Sequence, residues 1–369
     1  MEQRVKQIRT VQVGLGLIGG TVIEQIIENR ARWRDEGLDI GVAAILTTGG
    51  ALLGRAEGFS DDQLRTIVAR RHGGASLAEV SKEIGATGLA GADFDLSRVR
   101  AEQPVVMDAA AGDATSSIAE AALKADGAVV YSNKAPLSRP MRDARGLWDA
   151  AAAGRVRYET TCGAGLPVIS TLKSLLATGD RVIEIVGCLS GTLGAIFSDV
   201  ADGKPMSKAI VAAKAAGYTE PDPRDDLSGL DVARKALILA RTIGRELDLT
   251  DIAVESLVPV ALADCSVATF LESIADHDAA MTERQATARA ENATLKYVAT
   301  VPADGPISVG VTPVQTNTVL GALQGPENII SIRTARYDRY PLTISGPGAG
   351  AAVTAAGMIA DLLELARAR

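Results

Sequence analysis

The stretch GYTEPDPRDDLSGLDVARK, residues 217–235, gathers Glu220, Asp222, Asp225, Asp226 and Asp231 ahead of Lys235. Asp231 and Lys235 are four residues apart, so on a helix they share a face. Leu230, Val232, Ala233 and residues 236–240 make that helix apolar almost all round and therefore buried. A buried carboxylate and ammonium need partners or a purpose. Pro221 and Pro223 stiffen the loop that carries Glu220, which suits a rigidly held anion better than a solvated turn. The plain alternative is an exposed ion pair closing a polar loop, worth a few tenths of a kcal/mol.

A second chemical signal stands near the start. Gly14, Gly16 and Gly19 form GxGxxG directly after a predicted strand, IRTVQV, and directly before a helical pattern. In that setting the first glycine permits a tight turn, the second lets a pyrophosphate approach the backbone, and the third lets helix and strand pack closely. The phosphates would lie on the positive end of the helix. The next strand ends in Leu46, Thr47 and Thr48, with no acid to take a ribose 2'-hydroxyl. Hydroxyls there, with Arg55 within reach of a 2'-phosphate, lean towards NADP over NAD. A third signal is Lys134, at the end of the strand-like AVVYSNK. Ligands of open α/β sheets bind outside the carboxyl ends of the strands, which turns this lysine towards the cofactor crevice.

These groups need scaffolding, and the sequence predicts it in two parts. Strand, glycine turn, helix and the strand at 40–48 form a βαβ unit; PVVMDAA, a helix and AVVYS restore the alternation after a charged, mostly helical stretch at 51–103, read as an insertion packed on the domain edge. The first domain is thus α/β, a Rossmann-type doubly wound parallel sheet over residues 1–155, with a C-terminal helix in 341–369 packing back onto it. Residues 156–340 read as an α+β substrate-binding and dimerisation domain. Strand-like runs there end in glycine turns, helical patterns cover 229–246 and 266–290, and β-rich segments follow, giving a sheet at least partly antiparallel.

Composition excludes several classes. The 369 residues carry a net charge of -7 and 3% aromatics, which leaves neither a basic face for phosphate backbones nor rings for stacking bases. No nucleic acid is expected as a partner. The two histidines offer little for metal binding or acid–base work, and Cys162, Cys188 and Cys265 are too scattered for a disulfide framework or a zinc site, which fits a reducing cytoplasmic setting. The apolar N-terminal run is broken by glycines and Glu24, so no signal peptide or membrane span is expected.

Taken in order, GxGxxG, SNKAPLS, YETTCGAGLPVI, GCLSGTLGAIF, the 217–235 stretch and GPGAGAAVTAAG resemble the homoserine dehydrogenases over nearly the whole chain, in the short form without a kinase or regulatory domain. The resemblance implies NAD(P)-dependent interconversion of L-homoserine and L-aspartate 4-semialdehyde, in threonine, methionine and isoleucine biosynthesis. It places Lys134 and Lys235 on the two active-site lysines and Asp231 on the carboxylate that positions the substrate hydroxyl. Glu220 matches the acid holding the substrate amino group, with Asp226 supporting it and Gly191, Thr192 and Tyr218 also at the substrate. The cofactor is expected at Gly14, Gly16, Leu17, Ile18, Gly19, Thr47, Thr48, Ala110, Ser132, Asn133, Lys134 and Gly348. Glu159, Cys162, Ala164 and Leu166 fall where members hold a monovalent cation, Na+ or K+, mainly through backbone carbonyls. A homodimer is implied as well. Ser190 stands where many members carry Asn. The competing readings are a related dehydrogenase of another small amino or hydroxy aldehyde, and a non-catalytic dinucleotide-sensing protein.

Overall fold

The computed structural model describes residues 5–368, which divide into two compact units. The first runs up to Gly165 and resumes at Gly350; the second spans Leu166–Ala349. In the first, strand β1 (Lys6–Val13) leads into helix α1 (Leu17–Asp35), then β2 (Leu38–Thr47), β3 (Gly50–Leu53), α2 (Asp61–His72), α3 (Leu77–Ile84), β4 (Thr87–Leu89), β5 (Val105–Asp108), α4 (Ser116–Lys124), β6 (Ala128–Tyr131), α5 (Met141–Ala152) and β7 (Val156–Arg157). The sheet order is β4-β3-β2-β1-β5-β6-β7, with β2, β1, β5, β6 and β7 parallel.

Alternation along the strands divides the layers. Val105, Met107, Ala128 and Val130 join Val22, Ile23 and Ile26 of α1 in one apolar core. Tyr131, one residue on, opens instead into a cavity walled by residues of α4 and α5. Helices therefore cover both faces, as a doubly wound sheet requires.

Residues 51–103 differ from their reading as an edge insertion, because they extend the sheet itself. Thr47 pairs with Gly50 across a two-residue Thr48-Gly49 turn, so β3 runs back antiparallel to β2, and β4 adds to β3 in the same sense. That register also corrects the expectation for Arg55. Leu53 is already opposite Ala44, and the Gly54 N–H reaches the Ala43 carbonyl. At about 3.3 Å per residue, Arg55 lies more than 10 Å down β2 from Thr47, away from the carboxyl end where a 2'-phosphate would be read.

The second unit contains α6 (Val168–Ala177), β8 (Val182–Cys188), α7 (Gly191–Ala201), α8 (Met206–Ala215), the short α9 (Pro223–Leu227), α10 (Leu230–Thr242), β9 (Ile252–Val254), α11 (Val267–Ser273), α12 (Asp278–Ala290), β10 (Ala293–Pro302), β11 (Ile307–Gln315), β12 (Glu327–Thr334) and β13 (Leu342–Pro347). Its sheet has the order β13-β12-β8-β10-β11-β9, antiparallel except where β9 joins β11. The stretch at 266–290 is two helices separated by a turn at Ile274–His277. Asp278 explains the break, since its carboxylate accepts from the backbone N–H (2.8 Å) and hydroxyl (2.6 Å) of Ser207 at the start of α8. The last helix, α13 (Ala351–Ala368), belongs to the first unit, where Met358 and Leu362 pack into the core that contains α1. β7 still pairs with β6, and β13 with β12, so the units divide about ten residues beyond the positions 155 and 340 read from the sequence.

Candidate active site

In the second unit, a cleft of about 590 Å³ is lined by Gly191, Thr192, Tyr218, Glu220, Asp226, Asp231, Lys235 and Gly348, among others. Four segments converge to build it. Gly229, in the left-handed region at φ +72°, starts α10 and puts Asp231 in its first turn. No larger residue fits there, because a Cβ would stand 1.9 Å from the Tyr297 hydroxyl. One turn along α10, Lys235 is 8% exposed; its Nζ donates to the Leu189 carbonyl at 2.6 Å and lies 2.9 Å from Asp231 Oδ2. Leu189 immediately follows β8, so the strand end and the helix hold the ammonium between them. Asp231 is half-exposed, leaving it open to the cleft.

Asp226 organises the other wall. Its Oδ2 accepts the Glu220 N–H at 2.8 Å, and its Oδ1 lies 2.9 Å from the Thr192 hydroxyl, which also reaches the Tyr218 carbonyl at 2.5 Å. Asp226 thus supports Glu220 through the main chain, leaving the Glu220 carboxylate on the exposed rim. Burial, with Asp231 and Asp225 nearby, pushes the Asp226 carboxyl above its usual range, while the Glu220 N–H and Thr192 hydroxyl pull it back. The loop is anchored from beneath. Asp222 caps α9 by accepting the Arg224 N–H at 3.0 Å, and the Arg224 guanidinium donates to the Leu262, Ala263 and Cys265 carbonyls. Ser190 caps α7, its hydroxyl accepting the Leu193 N–H at 3.2 Å. Asn is an equally good cap, so this departure from the common pattern preserves the helix start.

In the first unit, the three glycines do three different things. A Cβ on Gly14 would stand 2.8 Å from the Ala110 nitrogen, and one on Gly19 would stand 2.1 Å from the Gly14 carbonyl oxygen. Gly16 faces open space, with no heavy atom of the described residues beyond its own neighbourhood in the chain within 4 Å of its side-chain position. No side chain caps α1 there, and its first turn holds no acid; Leu17 is exposed and Ile18 half-buried. A buried glutamine braces the turn, Gln12 donating to the Gly14 carbonyl at 3.0 Å. The helix end and open approach fit a dinucleotide pyrophosphate. Thr47 and Thr48 lie at the hairpin turn, where Thr47 Oγ1 accepts the Gly49 N–H at 3.2 Å.

The strand ends β5 and β6 are tied together by a group that the sequence reading overlooked. Asp108 is fully buried and accepts from the Ala110 N–H at 2.9 Å, the Thr115 hydroxyl at 2.6 Å and the Asn133 amide at 3.3 Å. Burial raises its pKa above the usual carboxylate range despite these bonds. Its signal was an acid closing the apolar strand VVMD. Asn133 also donates to the Gly112 carbonyl at 2.6 Å and accepts the Ala135 N–H at 3.1 Å, so its amide is spent on holding the loops beside Ala110, Ser132 and Lys134. Lys134 itself is half-buried, and its carbonyl starts the turn at Pro136–Ser138. Of the proposed cation ligands, Glu159, Cys162 and Ala164 follow β7 in the first unit, whereas Leu166 opens the second. Ala164 is held at φ +53°, an uncommon conformation for alanine of the kind that clusters at ligand sites. Among the described residues, no group of three His, Cys, Asp or Glu side chains could hold a metal ion, and no helix is long and apolar enough to cross a membrane.

The family pattern of homoserine dehydrogenase matches residues 167–363. The Paracoccidioides brasiliensis homoserine dehydrogenase is 41% identical over 250 residues, covering 64% of this chain and 67% of that protein. The Arabidopsis thaliana chloroplastic bifunctional aspartokinase/homoserine dehydrogenase 2 is 36% identical over 359 residues, which is 96% of this chain. This chain spans 38% of that relative's length. Among solved structures, a hyperthermophilic archaeal homoserine dehydrogenase in complex with NADPH shares the fold, with a TM-score of 0.73 at 22% identity over 98% of both chains. The chain belongs to the homoserine dehydrogenase family.

Proposed function

We propose that the chain interconverts L-homoserine and L-aspartate 4-semialdehyde with NAD(P), a reaction of threonine, methionine and isoleucine biosynthesis. The observation that carries this reading is the cleft in which Lys235, Asp231, Glu220, Asp226 and Thr192 converge. The bound dinucleotide supplies or accepts the hydride, and the residues that would hold it are Gly14, Gly16, Leu17, Ile18 and Gly19, with Thr47, Thr48, Ala110, Ser132, Asn133 and Gly348. Lys235 polarises the substrate oxygen and exchanges its proton, with Asp231 fixing the ammonium and the substrate hydroxyl. Glu220 takes the substrate ammonium, at a position set by Asp226 through the backbone. Lys134, at the carboxyl end of β6, serves as the second lysine.

The finer expectations belong to the same proposal. NADP is favoured over NAD, because no acid stands at Thr47 and Thr48 to take a ribose 2'-hydroxyl. The carbonyls of Glu159, Cys162, Ala164 and Leu166 are proposed to hold Na+ or K+, and the chain to act as a cytoplasmic homodimer. The test is absorbance at the reduced-nicotinamide band with L-aspartate 4-semialdehyde and NADPH or NADH, in potassium buffer. Rapid oxidation with one cofactor is expected. Dinucleotide binding without turnover would overturn the assignment.

A further inference from the structure

The second unit contains another cavity, of about 420 Å³, at the far end of α7 from the cleft. Its lining includes Ser198 and Asp202 at the carboxyl end of α7, Gln285 and Arg289 of α12, and Thr294 and Lys296 of β10. Two apart on one strand, Thr294 and Lys296 project from the same face. Thr294 is 6% exposed, and its hydroxyl has no hydrogen-bond partner among the described residues. Lys296 is 4% exposed, and among the described residues its Nζ donates only to the Leu323 carbonyl, at 2.5 Å.

The other buried basic side chains show what is unusual here. Arg9 pairs with Asp39 at 2.9 Å, Lys235 with Asp231 at 2.9 Å, and Arg241 with Asp248 at 3.1 Å. Lys296 alone among these has no carboxylate within ion-pair distance among the described residues; the charged or titratable groups there that influence it are the Cys188 thiol and Asp202. A buried ammonium without a counter-charge is costly, and burial duly lowers its pKa from the ordinary lysine value. Arg289, which donates to the Ala201 carbonyl, adds a second cation to the cavity lining, and Asp202 subtracts one.

We propose that this cavity binds a small monocarboxylate, with its oxygens accepting from Lys296 Nζ and Thr294 Oγ1 and with Arg289 completing the charge balance. Net charges of +1 for the lining and -1 for the ligand match, which favours a carboxylate over a phosphate dianion. The site is linked to the catalytic cleft through the backbone. Ser198 Oγ accepts the Gly325 N–H at 2.8 Å and donates to the Gly194 carbonyl at 2.9 Å, and the next residues, Pro326 and Glu327, line the cleft. Occupancy would therefore steady the strap that runs from one cavity to the other.

The experiment is thermal unfolding of the full chain in sodium acetate against sodium chloride at equal ionic strength, up to about 100 mM, where even millimolar binding saturates. A saturable rise of a few degrees is expected with acetate alone. Lys296→Met and Thr294→Val, each close in shape and neutral, should abolish and weaken it respectively, while Lys235→Met should retain it. An absent rise, or one that survives in Lys296→Met, would overturn the proposal. Loss of the rise only in Lys235→Met would move the carboxylate to the catalytic cleft and overturn it equally. If Lys296→Met fails to fold, Thr294→Val decides: an unchanged half-saturation would count against the site, and a several-fold increase would support it.

Discussion

Two glycines three residues apart should respond to the same substitution in opposite ways. In Gly19→Ala the new methyl would stand 2.1 Å from the Gly14 carbonyl oxygen, a backbone atom that cannot swing aside. Overpacking of this kind costs about 1–3 kcal/mol, and for a domain of 150–250 residues each kcal/mol lowers Tm by about 2–4 °C. A loss of roughly 2–12 °C is expected. In Gly16→Ala the methyl enters open space, and the backbone, at φ -78°, already suits alanine. The protein should lose no more than about 1 kcal/mol, the difference between glycine and alanine at a helix start. That methyl would stand where a pyrophosphate must approach the backbone, so dinucleotide affinity should fall at least tenfold, about 1.4 kcal/mol. Differential scanning calorimetry of each variant and titration calorimetry with NADPH and NADH separate the two effects. Undiminished binding in Gly16→Ala would refute the account of the turn, as would a Gly19→Ala protein with an unchanged melting temperature.

Other outcomes follow from the site and its supports. Lys235→Ala should lower kcat by about 10²–10⁴, the range for losing a general acid–base, whereas Glu220→Ala should mainly raise KM for the amino-acid substrate; steady-state kinetics showing the reverse would exchange their roles. Gly229→Ala meets both a left-handed φ of +72° and the Tyr297 hydroxyl at 1.9 Å, so urea unfolding should show a loss of about 2 kcal/mol or more. Asp361, on α13, is 6% exposed and accepts the Glu159 N–H at 2.9 Å, and burial pushes its pKa up to about 7. Between about pH 4 and 7 the folded chain then keeps a proton that the unfolded chain has released, so this group's stabilisation is complete at low pH and is lost as pH rises to about 7. Asp361→Asn should flatten that part of the pH–stability curve, by on the order of 4 kcal/mol between pH 4 and 8. Matching curves for the two proteins would show that Asp361 does not titrate in this range.

Much of this was legible in the residues. The GxGxxG turn, the buried α10 and the convergence of Glu220, Asp226, Asp231 and Lys235 all follow local rules of spacing and burial. What escaped was structure imposed from a distance. The stretch RVIEIVGCLSGTLGAIFSDV reads as a strand-like run ending in a glycine-rich turn, yet from Gly191 onwards it forms α7. Its glycines are needed because a Cβ on Gly194 would stand 2.7 Å from the Gly325 carbonyl oxygen, a contact 131 positions away that no local pattern announces. Helix α6 was hidden likewise by its β-branched opening, VIST. The hairpin at Thr48-Gly49 was missed for another reason: a two-residue turn carries a weak signal when the strand it begins has only four residues. Asp108 and Asn133 escaped in their roles, since a satisfied buried network is visible only once its partners are known.

The first unit is discontinuous in the chain, and that bears on how the protein is made. α1 is synthesised before Leu166–Ala349, but the helix that shares its core, α13, follows only after all of that segment. Until then Val22, Ile23 and Ile26 lack the cover of Met358 and Leu362. The second unit has its whole sequence in one piece and can close as soon as it is synthesised, whereas completing the first unit must wait for α13 and a loop closure across more than three hundred residues. During that interval the nascent chain carries an exposed apolar seam, the state in which chaperone capture or aggregation competes with completion.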